Sequence, residues 1–166
     1  MIKDLKVRLA ESQSLADIFE VVKASVLKEM GMSRGGLMLG MANLGNHPEA
    51  FIGAFFTVGS NIIVMNKIPL QRIEETRPEL FKPYAFHIML HEYIHSLGYL
   101  DEAVVRTKVY EISKNCLGED HLATRIAANT SSFIKHLVYP EVAWKSDDTG
   151  LTLVEGFDRS SVSYIA

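Results

Sequence analysis

The stretch YAFHIMLHEYIHSL at residues 84–97 constrains the chain more than any other segment. Phe86, Leu90, Ile94 and Leu97 recur at helical spacing, Pro78 and Pro83 suit a helix entrance, and Gly98 supplies a stop. On that helix His91 and His95 are four residues apart, so their rings lie on one face, one turn above the other. Two imidazoles so placed can grip one zinc ion at about 2.0–2.1 Å without bending the backbone. Glu92 is rotated about 100° from His91. It is a poor ligand beside that pair, but it borders the open side where a water can be activated, and its carboxylate can carry a proton from water to a leaving amine.

A third ligand is needed. His87 continues the stripe, yet His87 and His95 are about 12 Å apart along the axis, beyond one ion. His87 therefore reads as a support behind a ligand, or as an ordinary core or surface histidine. On a continued helix Asp101 would be about 9 Å further on and on the wrong side. A left-handed Gly98 reverses the chain, folds Leu100 and Asp101 back beneath the metal and makes Asp101 the expected third ligand. Glu102 is the adjacent alternative, and Glu111 on the next helix a more distant one. His121 and His136 cannot serve one metal from a single straight helix and read as solvent-facing.

The segment HEYIHSLGYLDE resembles the zincin metallopeptidases, in particular small single-domain members with an HExxHxxGxxDE signature. The spacing of His91, His95, Gly98 and Asp101 is similar to metzincins that use aspartate as third ligand. No methionine follows Met89, so the chain has no metzincin Met-turn. The resemblance implies a zinc-dependent hydrolase of peptide bonds with Glu92 as catalytic base and His91, His95 and Asp101 on the metal. It also implies an edge strand that pairs with an extended peptide or protein substrate, for which NIIVMN at 61–66 is the candidate. HxxxHxxGY is similar as well to small zinc ribonucleases with an HxxxHxxGxDH pattern, but Glu92 and Glu102 depart from that pattern. A catalytically inactive zinc-binding module is the third reading.

The remaining sequence sets the frame. At 166 residues, 48% hydrophobic and 22% charged, the chain suits a single domain with a real core. Its net charge of −3 and its scattered basic residues do not suggest nucleic acid. No apolar run suggests a membrane span or a signal peptide, and the expected compartment is the cytoplasm. Cys116 is the single cysteine, which excludes an intrachain disulfide and a cysteine zinc cluster.

Residues 1–12 fit either a strand or a helix. Ser14 and Asp17 resemble a capping box ahead of Leu15, Ile18, Phe19, Val22, Val26 and Met30, with Gly31 as stop. Short apolar runs between 35 and 66 predict strands, with Gly59-Ser60 as a hairpin turn and Phe51, Phe55 and Phe56 in the sheet core. Met32, Met38 and Met41 read as adaptable core packing. Helices are predicted over 102–116 and 119–138, then a loop-rich tail with a short strand near Leu151–Val154. In that tail Arg159 and Tyr164 are candidates to stabilise an oxyanion. The order predicts an α+β fold: a small, mostly antiparallel sheet, an N-terminal helix, the histidine helix and C-terminal helices.

Overall fold

A computed structural model describes residues 4–45, 53–137 and 150–157, the side chains of 134–137 apart. The opening is helical, α1 (Leu5–Glu11), capped by Asp4, whose side chain accepts from the Lys6 N–H. Helix α2 (Leu15–Met30) starts as its sequence indicates. Ser14 Oγ accepts from the Asp17 N–H at 3.1 Å, and Asp17 answers by accepting from the Gln13 N–H at 3.0 Å. Gly31, at φ 66°, closes it. Ile18, Phe19, Val22 and Val26 are buried along its inner face.

Strands β1 (Met38–Ala42), β2 (Ala54–Phe56) and β3 (Ile62–Asn66) follow, and β4 (Thr152–Val154) arrives from the tail. The sheet order is β2-β3-β1-β4. Both outer pairings are antiparallel, but the central pair β1–β3 is parallel, so the sheet is mixed. A hairpin turn joins β2 to β3, with Val58-Gly59 at its corner and the Ser60 N–H bonded to the Thr57 carbonyl. β1, which precedes the hairpin, lies on the other side of β3 and runs parallel to it.

NIIVMN is therefore internal, and β2 is the edge strand on that side, with β4 at the opposite edge. The physical reason lies in the burial: Ile63, Val64 and Met65 are covered on both faces, which suits a strand flanked on each side. Phe55 on β2 is exposed instead of sitting in the sheet core, whereas Phe56 packs against the core. Met41 also packs there, while Met38 is exposed. Asn66 pins the crossing. Fully buried, it accepts from the Leu44 and Ile68 N–H groups and donates through Nδ2 to the Gly45 carbonyl.

Helix α3 (Lys67–Thr76) and a 3-10 turn (Pro78–Leu80) lead into α4 (Phe81–Ser96), the histidine helix. Tyr84, Ala85, Phe86, Met89, Leu90, Tyr93 and Ile94 are all buried, so α4 is wrapped nearly all round. Helix α5 (Glu102–Leu117) buries Val105, Val109, Ile112 and Cys116. The helix expected over 119–138 is two: α6 (Leu122–Ala128) and α7 (Thr130–Leu137), broken at Asn129 with φ −147° and ψ 64°. Asn129 Oδ1 then faces the Ser132 N–H, the local competition that makes asparagine a helix breaker.

The fold is α+β, with seven helices and four strands among the described residues. None of these helices is long and apolar enough to cross a membrane. Phe157, beyond β4, stacks on Phe19 at 4.1 Å between centroids, and Phe19 meets Tyr93 edge-on at 5.4 Å. Phe157 is thus linked to the histidine helix through Phe19.

Candidate metal centre

His91 and His95 project from α4 as neighbours, their ring centroids 4.9 Å apart. At Gly98 the helix stops with φ 109°, its N–H bonded to the His95 carbonyl, and the chain reverses as the sequence indicates. What comes back beneath the rings is Glu102. Its Oε1 lies 2.7 Å from His95 Nε2 and its Oε2 3.0 Å from His91 Nε2. His91, His95 and Glu102 each offer one ligand atom, all within 4.8 Å of one another, and this group could hold a metal ion.

The expected third ligand, Asp101, is not in that group. It is the N-cap of α5, and its carboxylate accepts from the Val104 N–H at 3.1 Å. A short side chain at the residue preceding a helix satisfies that helix's own orphan donors. The next residue, longer by one methylene, is the one that reaches the histidines. Glu111 is exposed on α5 and belongs to no metal-holding group among the described residues. His121 caps α6 by accepting from the Ala123 N–H, and is half-buried where a solvent-facing ring was expected. The side chain of His136, and all of Phe51, Arg159 and Tyr164, lie outside the described residues.

Hydrogen bonding indicates what the donor set is suited to. His95 Nδ1 lies 2.7 Å from the Tyr99 carbonyl, which can only accept, so Nδ1 carries the proton. Nε2, the other ring nitrogen, faces a carboxylate oxygen, and without a proton of its own it would set lone pair against lone pair. Two lone pairs at 2.7 Å need a cation between them, either a proton or a metal. Burial pushes His91 toward its neutral form, and the opposing pull of Glu102 does not reverse this. Burial alone would raise the Glu102 carboxyl, but the two imidazoles bring it below its usual range. A His91 inclined toward its neutral form and a Glu102 inclined toward ionisation match the states in which such groups bind a divalent cation.

Glu92 shares the cleft without belonging to the trio. It is 8% exposed, and burial pushes its carboxyl up to about 7, with His95 opposing and Glu102 adding to the rise. The cleft, about 440 Å³, is walled by Gly53, β2, Val58, His91, Glu92, His95, Leu100 and Glu102. His87, one turn before His91, is buried with no partner for Nδ1 among the described residues. Burial, with His91 adding to it, pushes its pKa down to about 3.

No family model, curated protein or solved structure matches the chain. The site therefore stands on its own geometry.

One contributor gave no signal in the sequence. Arg34, in the loop before β1, donates from Nη1 to the Ser96 carbonyl at 2.7 Å and from Nη2 to the Ser60 carbonyl at 2.9 Å. Its guanidinium also lies over the Phe56 ring, 5.4 Å from the centroid. It thereby joins the end of α4 to the β2–β3 turn. The Tyr99 carbonyl could have been suspected, since it directly follows the Gly98 reversal.

Proposed function

We propose that the chain is a zinc-dependent metallopeptidase, with His91, His95 and Glu102 holding the ion and Glu92 as catalytic base. The observation that carries this reading is the position of Glu92. It is buried in the same cleft as the donor trio, outside the trio itself, with a proton affinity close to neutrality. Zinc, when bound, supplies Lewis acidity, polarising the scissile carbonyl and easing deprotonation of water. Two nitrogens and one oxygen suit this borderline ion and leave a position open, as catalytic zinc sites do.

The chain's own residues do the remainder. Glu92 takes the proton of the attacking water and returns it to the leaving amine, and a pKa near 7 lets it perform both transfers. The Tyr99 carbonyl holds the His95 ring in one tautomer and orientation. The outer edge of β2 offers backbone groups to an extended peptide lying along the cleft.

The test is Glu92→Gln. That variant keeps one zinc per chain and loses cleavage of unfolded casein by at least about a hundredfold. Undiminished cleavage would rule out the mechanism.

A further inference from the structure

The cleft carries exposed aliphatic side chains that the hydrolytic chemistry does not use. Val58, at the corner of the β2–β3 turn, is 67% exposed, and Leu100, just past the Gly98 reversal, is 61% exposed. Single exposed aliphatics are ordinary on a protein surface. These two differ in that both line one cleft, together with His91, Glu92, His95 and Glu102. They are also tied in place. Arg34 bonds the Ser60 carbonyl of one segment and the Ser96 carbonyl of the other, so the Val58 turn and the end of α4 leading to Leu100 are held by one guanidinium.

We propose that Val58 and Leu100 form a subsite for a bulky apolar side chain of the bound peptide, beside the bond that is cleaved. The inference rests on the peptidase reading and adds its substrate class. Aliphatic surface left in water in this cleft is covered when an apolar side chain enters, and the gain grows with the area removed from water. An acidic side chain gains nothing from that cover. Preorganisation by Arg34 keeps the two walls from having to be ordered on binding.

Zinc-loaded Glu92→Gln binds without turning over, so selectivity can be read as equilibrium binding. Two fluorescein-labelled alanine peptides serve as probes, one with a central pair of leucines and one with a central pair of aspartates. The leucine peptide binds at least about tenfold tighter by anisotropy, and adding Val58→Ser with Leu100→Ser reduces the preference to under about threefold. Both positions are exposed, so zinc content and denaturation midpoint stay unchanged. Equal binding of the two peptides, or a preference that survives the double substitution, overturns the subsite. Casein cut by the native chain at sites with no apolar enrichment overturns the subsite and leaves the peptidase reading standing. With zinc loaded, failure of both peptides to bind and of casein to be cut removes the peptidase reading and the subsite with it.

Discussion

The phenolic oxygen of Tyr93 accepts a hydrogen bond of 2.9 Å from the backbone N–H of Arg34. One end of this bond sits between Glu92 and His95 on α4. The other anchors the loop whose guanidinium bridges α4 to the β2–β3 turn. Replacing Tyr93 by Phe keeps the buried ring and its edge-on contact with Phe19 while removing the acceptor. The expected cost is about 1–2 kcal/mol, the penalty of a part-buried donor left unmade. In urea the midpoint falls with the slope unchanged, and an unchanged midpoint would show that the bond contributes nothing.

Asp101 and Glu102 are adjacent, yet they separate cleanly. Glu102→Gln weakens zinc binding by about two orders of magnitude, measured by competition with a chromophoric chelator, because an anionic ligand is lost. Asp101→Ala leaves zinc affinity nearly intact and lowers stability by about 1 kcal/mol, the worth of a helix N-cap. The opposite pattern would return Asp101 to the metal.

Gly98→Ala tests the reversal itself. A Cβ there meets nothing within 4 Å, so any effect comes from the backbone, which at φ 109° disfavours every residue with a side chain. Stability falls by about 1–2 kcal/mol. Zinc affinity falls too, because Glu102 is presented by the segment that Gly98 turns back. A variant as stable as the parent would mean that the reversal tolerates a side chain.

His87 makes the metal-free chain sensitive to acid. Its folded pKa, about 3, lies below the unfolded value of 6.5, so between these values the unfolded chain binds more protons. The stabilisation is complete above pH 6.5 and is lost as pH falls toward 3, with a total on the order of 3–5 kcal/mol. In chelator, the stability difference between the native chain and His87→Leu shifts in the variant's favour from pH 7.5 to pH 4.5. A difference independent of pH would show that His87 is protonated in the fold without penalty.

Much of this architecture was legible in the sequence, and the rest was not for identifiable reasons. Helical periodicity with clear caps located α2 and α4, and the Gly98 reversal followed from one residue's conformational freedom. The choice between Asp101 and Glu102 turns on where α5 begins, and a capping interaction one residue wide decides it. Asn129 breaks the expected long helix because its side chain competes with the backbone, a local effect that apolar spacing does not register. NIIVMN is legible as a strand, but its unbroken apolar character fits the sheet interior, where it lies, and not the edge expected for it. Arg34 was invisible, because its partners Ser60, Tyr93 and Ser96 are distant in sequence and two of its bonds go to backbone carbonyls, which any residue could supply.

Two of the three donors belong to α4 and one to α5, on either side of the Gly98 reversal. An ion held by all three is consequently a rivet through the seam between these helices. Prising α5 away must dismantle the coordination, and extracting the ion must loosen the seam. Metal release and detachment of the second helix are then one event seen from two sides, and the melting temperature rises with free metal for as long as the rivet fits.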